Sequence, residues 1–420
     1  MSILLDYYCG MRILVNDFAG HSFQVALSRH MAKNGHTVLH TFFAGNNTPM
    51  GVMKALPGDP DGFSILGLTI PGTFKKHSLL SRRRSDIAYG HAVAKATEHF
   101  QPDVVISANM PLNSQAILQT TTRNCGAKFV FSVQDIYSEA VGFVLRKKRL
   151  PFSGMVSSYF REFEKRLLLQ SDAIVCIAPE FRELLQSWGI SGPLINVIEN
   201  WAPIAEVPLR PKSNPWSKDL GIDNSFSFIY SGTLGMKHKP DLLLALAKQI
   251  RDRPNVTLTV IAQGAGADWL RANRADIPPE TLRVMDFQPY EKVPEVLGSA
   301  DTLIVLLDSE CGGFAVPSKT LSYLCAGRPI LIASPPENLA CKIIANSESG
   351  LAVASDDEQA FLQAAELLVS DEALRSKLGR NARSYAERKF DLEGISKQFL
   401  TIFENVASRR GITPTLRAGA

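Results

Sequence analysis

The chain reads as an α/β protein made of two doubly wound parallel-sheet domains, and three observations predict it. Short, continuously apolar runs rich in Val, Ile and Phe alternate with helical stretches along nearly the whole chain. The alternation breaks once, at the proline-rich segment 200–216 (NWAPIAEVPLRPKSNPW), and then restarts. At 420 residues the chain exceeds one ordinary core, so two units of about 200 residues each are expected.

Continuous rather than alternating hydrophobicity marks strands covered on both faces, hence parallel strands joined by crossover helices. In the first half these are MRILVN (11–16), TVLHTFF (37–43), FSILGL (63–68), DVVISA (103–108), KFVFSV (128–133), AIVCIA (173–178) and LINVIE (194–199). In the second half they are FSFIYS (226–231), VTLTVIA (256–262), LRVMDF (282–287), TLIVLL (302–307) and PILIAS (329–334). The expected division is 1–205, 206–390 and a closing segment 391–420, whose helix around 396–407 packs back on the first domain. From Arg409 onward the tail is polar.

Composition is that of a globular enzyme, with 45% hydrophobic and 20% charged residues and no low-complexity tract. No apolar run approaches the ~20 residues of a membrane span. The opening MSILLDYYCG lacks the basic-then-apolar order of a secretory signal. The six cysteines show no CxxC spacing and fit buried thiols in a reducing compartment. The histidines show no HExxH pairing, so no metal is expected, and the location expected is cytoplasmic.

The net charge of +4 is uneven, because residues 1–200 carry a surplus of five basic residues. The surplus concentrates in FKKHSLLSRRR (74–84) and RKKR (146–149), the latter followed by LPFSGMVSSYF. Basic residues mixed with Phe, Leu and Met favour either a solvated loop or the anionic inner face of a membrane. No aromatic-basic platform for nucleic acid is present.

In parallel sheets ligands sit beyond the carboxyl ends of strands, so the segments just after strands carry the chemistry. After the first strand, NDFAGHS offers a glycine turn at Gly20 and a helix opening at His21 and Ser22, without the three glycines of a dinucleotide fingerprint. YSGTLGMKHKPD (230–241) sets Gly232 and Gly235 in a loop followed by Lys237, His238 and Lys239, a cationic helix entrance suited to a diphosphate. VIAQGAG places Gln263 and Gly264 beyond another strand, and FQPY (287–290) could stack and hydrogen-bond a base through Phe287 and Gln288. Finally, Glu310 precedes VPSKTLSYLCAGRPIL, where Ser318, Lys319, Thr320 and Ser322 surround a helix start that can seat a phosphate.

The pieces GHSFQVALSRHMAKNGHTV, VQDIYSE, VIENW, YSGTLGMKHK, VIAQGAG, FQPYEKVPEVLGSAD and VPSKTLSYLCAGRPIL resemble, in order and spacing, the retaining GT-B glycosyltransferases of family 4. The flavour is similar to bacterial O-antigen, capsule and exopolysaccharide enzymes of the N-acetylfucosamine transferase kind. The resemblance implies two facing Rossmann-like domains with the acceptor on the first and the nucleotide sugar on the second. It implies a metal-independent transfer with retention to a hydroxyl of a lipid-linked glycan, with the nucleotide sugar as substrate and no cofactor.

By position the resemblance puts Gly20 and His21 near the sugar and acceptor, and Asp135 close to the donor sugar. Lys237 and Lys239 would bind the diphosphate as catalytic cations beside His238, which falls at the family's lysine position, while Thr233 holds its arginine position. Which lysine makes the contact stays open. The family's paired glutamates fall on Phe314 and Ser322, leaving Glu310 displaced by four residues. Two other readings remain on sequence grounds, a sugar-nucleotide epimerase of the same fold and a non-catalytic donor-binding scaffold.

Overall fold

The computed structural model describes residues 10–45, 50–70, 79–108, 110–147, 152–311 and 315–408. Cys9, most of the basic tract 74–84, the basic residues Lys148 and Arg149, and 312–314 therefore lie outside the described residues or their side chains. The chain divides into two compact units, 1–199 together with 392–420, and 200–391.

The first unit runs β1 (Arg12–Asp17), α1 (Ser22–Lys33), β2 (Thr37–Phe43), β3 (Phe63–Leu68), α2 (Leu79–Phe100), β4 (Val104–Ala108), α3 (Leu112–Asn124), β5 (Lys128–Val133), α4 (Tyr137–Lys147), α5 (Ser153–Leu169), β6 (Ala173–Cys176), α6 (Pro179–Ser187) and β7 (Ile195–Val197). Its strands pair in parallel in the order β3-β2-β1-β4-β5-β6-β7. The second unit runs α7 (Pro215–Asp219), β8 (Phe226–Ser231), α8 (Pro240–Gln249), β9 (Val256–Ile261), α9 (Ala265–Asn273), β10 (Leu282–Met285), α10 (Val293–Gly298), β11 (Thr302–Leu306), α11 (Lys319–Ala326), β12 (Ile330–Ala333), α12 (Leu339–Asn346), β13 (Gly350–Val353), α13 (Glu358–Ser370) and α14 (Glu372–Lys389). Its order is β10-β9-β8-β11-β12-β13, again all parallel. The last helix, α15 (Leu392–Ser408), belongs to the first unit, where Glu393 meets His30 at 3.3 Å.

Every apolar run expected as a strand is one, because a strand buried on both faces cannot hide its pattern. All residues of β4, β5, β9, β11 and β12 are buried, whereas edge strand β3 alternates towards solvent. Sequence reading missed β13, a four-residue edge strand between polar flanks. Helix α8 shows how the sheets are roofed. Proline at its first position pre-sets the backbone, and Leu242, Leu243, Leu246 and Ala247 form one apolar face over Phe228, Val260 and Ile304.

Both sheets reverse their winding direction at one place, between β1 and β4 in the first unit and between β8 and β11 in the second. The crossovers diverge there and leave a crevice at the carboxyl ends, the usual ligand position of such sheets. Replacing Leu246→Ala should lower the stability of the second unit by about 3 kcal/mol. A urea transition followed in the chain should show that loss; an unchanged midpoint would mean that α8 does not hold the sheet.

Candidate active site

In the first unit, the chain leaves β1 through a turn organised by Asp17, a carboxylate with no solvent exposure. Its oxygens accept hydrogen bonds from the backbone amides of Ala19 (3.3 Å) and His21, and Oδ1 lies 3.1 Å from His21 Nδ1. Gly20 N donates to the Asp17 carbonyl at 3.1 Å and closes the turn. Helix α1 then starts with His21 as its extended N-cap residue. Burial by itself would push the Asp17 carboxyl up, but the His21 charge and hydrogen bonds hold it below its ordinary value. Burial would likewise push His21 down, yet Asp17, with a further contribution from Asp135, raises it.

Beneath this turn is a buried polar network. Tyr89 Oη donates to Asn16 Oδ1 at 2.8 Å, and Thr41 Oγ1 does so at 3.2 Å. Asn16 Nδ2 donates to Ser107 Oγ, which donates to Gln115 Oε1 at 2.7 Å. The network joins β1, β2, β4, α2 and α3 under the switch point, so the turn rests on a fixed floor. His40, buried beside Ser28 Oγ at 2.9 Å, is pushed down to about 4 by burial and stays neutral at physiological pH.

Asp135, exposed, sits between β5 and α4. Its position is set from α5, where buried Glu164 accepts from the Tyr137 and Ser138 amides at 3.0 and 2.9 Å and caps α4. Burial raises the Glu164 carboxyl above its ordinary range despite those hydrogen bonds. Neither Asp17 nor Glu164 stands out in the sequence. One reads as a turn aspartate, the other as an ordinary helix-surface acid.

In the second unit, three strand-end loops converge. Gly232 adopts φ +131°, a region favoured by glycine, and a Cβ there would lie 3.3 Å from Lys319 Cε. Gly264, at φ +118°, packs against the Leu234 carbonyl, and Leu234 N donates to the Gln263 carbonyl at 3.0 Å. The β11 loop joins them through Asp308 N, which donates to the Lys237 carbonyl at 2.8 Å. Glu310, exposed, follows two residues later on a short 3-10 turn.

Lys319, the first residue of α11, brings its ammonium 3.5 Å from the centre of the Tyr230 ring and 3.5 Å from the Thr233 carbonyl. Burial, then the neighbouring Lys237 charge, pull it well below the ordinary lysine value. Among the described residues neither Lys237 nor Lys319 forms an ion pair. His238 Nδ1 accepts from Gly235 N at 2.9 Å, and burial with Lys319 and Lys237 nearby pushes its imidazole down to about 2. It is a neutral imidazole beside both lysines. Helix α11 is held to the β8 end by Tyr323 Oη, which accepts from Ser231 N and donates to Ser231 O at 2.8 and 3.0 Å.

The other expected residues are placed unequally. Lys239 takes a left-handed backbone conformation at the start of α8 and lies 3.8 Å from Asp241. Ser318 and Thr233 are exposed, and Ser322 is half-buried. Thr320 is buried, and its hydroxyl has no hydrogen-bond partner among the described residues. Phe287 is half-buried, while the Gln288 amide is already engaged, accepting from Trp216 Nε1 at 3.2 Å and donating to the Asp286 carbonyl. Sequence reading put equal weight on Lys237 and Lys239; the fold brings Lys319 beside Lys237 and pairs Lys239 with an acid.

Residues 213–385 match the family described as glycosyl transferases group 1, and residues 22–201 match the glycosyl transferase 4-like domain. The chain is 23% identical over 309 residues to the putative colanic acid biosynthesis glycosyl transferase WcaI of Escherichia coli, covering 73% of this chain and 74% of that protein. It is 21% identical over 336 residues to the putative glycosyltransferase YtcC of Bacillus subtilis, covering 76% of each. Among solved structures, HepE of Anabaena in complex with UDP-glucose superposes with a TM-score of 0.69 at 15% identity, over 94% of this chain and all of that one. WaaG, a glycosyltransferase involved in lipopolysaccharide biosynthesis, does so with a TM-score of 0.62 at 16% identity, over 94% of this chain and 99% of that one. The two sheets and these neighbours make the fold GT-B.

Asp17→Asn keeps the shape and the acceptor oxygen but removes the charge. The His21 pKa, followed by NMR titration, should then drop from above 6.5 to below it, since burial is the largest influence and only the smaller Asp135 contribution still opposes it. In the wild type the raised His21 value means stabilisation present below about pH 6.5 and lost as pH rises through the folded value. Asp17, held below its ordinary value, contributes above about pH 4 and loses this as pH falls. The ion pair should therefore stabilise most between about pH 4 and 6.5, and a flat difference between wild type and Asp17→Asn across pH 5 to 9 would contradict it.

Proposed function

The chain being a glycosyltransferase, with a 4-like domain followed by a group 1 domain, we propose that it moves a sugar from a nucleoside diphosphate, a UDP-sugar first of all, to a hydroxyl of a lipid-linked glycan in surface-polysaccharide synthesis. The observation that carries the donor half is the pair of partly buried lysines, Lys237 and Lys319, which stand at the glycine loops of the second unit and form no ion pair among the described residues. A buried ammonium without a carboxylate is costly, and a diphosphate repays that cost. UDP is favoured because HepE, of the same fold, is solved with UDP-glucose, and the polysaccharide setting because WcaI is named for colanic acid biosynthesis.

In the reaction the bond from the anomeric carbon to the phosphate oxygen breaks and the acceptor oxygen bonds the same face of that carbon. The acceptor proton passes to the departing phosphate, so no protein nucleophile is required. Charge gathers on the diphosphate as it leaves. Lys237, Lys319 and the α11 backbone amides meet it there with fixed positive charge, which is where preorganisation lowers the barrier. These cations supply the charge that a metal or cofactor would otherwise provide. His238 and Lys239 line the same entrance, with Gly232, Thr233, Gln263 and Gly264 allowing close approach. Phe287 stacks the base, and Ser318, Ser322 and Glu310 serve the ribose and sugar hydroxyls that paired glutamates hold in relatives. On the first unit, Asp135, Gly20 and His21 orient the acceptor.

Incubation of radiolabelled UDP-sugars with membrane lipid extract should move label into lipid. Label left on an altered nucleotide, or tight binding with no turnover, would overturn transfer. Lys319→Met should lower kcat/KM by about 10²- to 10³-fold while the chain stays folded. Donor binding should also take up a proton at pH values between the depressed Lys319 value and the ordinary 10.5, because an anion restores the charged form. Calorimetry in buffers of different ionisation enthalpy reads this uptake, and its absence in the wild type would remove Lys319 from the diphosphate.

A further inference from the structure

Helix α5 wears part of its apolar surface on the outside. Phe152, at its N-cap, is 74% exposed, and Met155, Val156 and Tyr159 are 72%, 36% and 62% exposed. Their spacing, i, i+3, i+4 and i+7, makes one continuous stripe along the helix. The inward side of the same helix is satisfied separately. Leu167, Leu168 and the α4-capping Glu164 are buried, and Gly142 of α4 packs so closely that a Cβ there would lie 3.1 Å from Ser157 Oγ. Val144 of α4, 47% exposed, adds to the apolar area. The stripe is therefore not a leftover of the core but a second apolar face that stays exposed among the described residues.

Two further features say what it meets. Residues 139–166 carry seven basic residues against three acidic ones, a formal +4 that equals the net charge of the whole chain. Of the three acids, Glu139 pairs with Arg161 at 2.6 Å and Glu164 is buried. Arg146 is exposed on α4, and Arg166 continues the stripe with its guanidinium 5.2 Å from the Phe163 ring. Phe152 also holds φ +60°, a left-handed conformation that a bulky residue adopts only at a cost. An aromatic that is exposed and held in a strained backbone beside this basic tract buries little apolar surface within the described residues.

We infer that this face of α5 docks on an anionic phospholipid bilayer. Met155, Val156, Tyr159 and Phe152 enter the boundary between headgroups and acyl chains, while the flanking arginines meet lipid phosphates. Tyrosine suits that depth, with an apolar ring and a wet hydroxyl. The surface deepens the lipid-linked acceptor proposed above and rests on that reading only for its purpose. Docking is read without donor or acceptor, so either statement can fail alone.

The test is sedimentation of the full chain with vesicles of phosphatidylethanolamine and phosphatidylglycerol, against pure phosphatidylcholine. Binding is expected to the anionic vesicles, to weaken in high salt, and to fall about tenfold or more in Met155→Ser/Tyr159→Ser at an unchanged melting temperature. Phe152→Gly separates docking from a structural role. Relief of the left-handed strain should keep or raise the melting temperature while vesicle binding drops. Equal binding to both vesicle types, or variants that bind as the wild type does, would overturn the inference. So would a wild-type dimer in solution that the serine variants dissolve while vesicle binding persists, since the face would then belong to a second copy.

Discussion

A parallel β-ladder cannot be turned back in two residues, so every strand of both units hands the chain to a crossover that returns it to the starting edge. All the strand ends of one sense then lie along one edge of each sheet, and the loops there carry backbone amides and side chains that the ladder does not use. The order β3-β2-β1-β4 and its repeat β10-β9-β8-β11 open those loops apart at the first strand of each unit. Asp17, Gly20 and His21 follow β1 directly, and Gly232, Lys237 and His238 follow β8. The candidate residues of both units therefore lie where the winding reverses, at the crevice such sheets open beyond their carboxyl ends.

The two units treat buried charge in opposite ways. In the first, Asp17 and His21 compensate each other within one turn, raising one pKa and lowering the other, and an amide-rich polar network supports the pair. In the second, Lys319 stands beside an aromatic ring and a carbonyl, and the neighbouring Lys237 charge adds to burial in lowering its pKa, with a neutral histidine near both. A paired charge is at rest; an unpaired one is a demand for a counter-ion. Of these two clusters, the surplus of positive charge lies in that of the second unit, which holds the group 1 match over 213–385.

A left-handed backbone and an exposed large apolar side chain coincide at Phe152, the start of α5. Helix α5 does two jobs with two faces. Its buried Glu164 fixes the N-terminus of α4, and hence the backbone that carries Asp135, while its outer stripe stays apolar. Docking of the outer face would therefore act on the same helix that positions a site residue.

Much of this was open to reading in the residues themselves. Twelve strands, the proline-rich break and the last helix follow from local pattern, because strands buried on both faces and proline punctuation leave signals within a few residues. So do the glycine loops and the lysines after β8. What escaped were β13, too short and polar-flanked to stand out, and every role set by a distant partner. Glu164 caps residues 26 positions earlier, Trp216 engages Gln288 72 positions later, and Lys319 reaches the Thr233 carbonyl 86 positions away. Sequence by itself determined the fold class and the strand ends where the candidate loops begin, since these rest on periodicity. Only the tertiary structure decided that Lys319 rather than Lys239 stands beside Lys237, that Thr320 faces the core, and that Asp17 holds His21, because direction and pairing depend on contacts that local pattern does not encode.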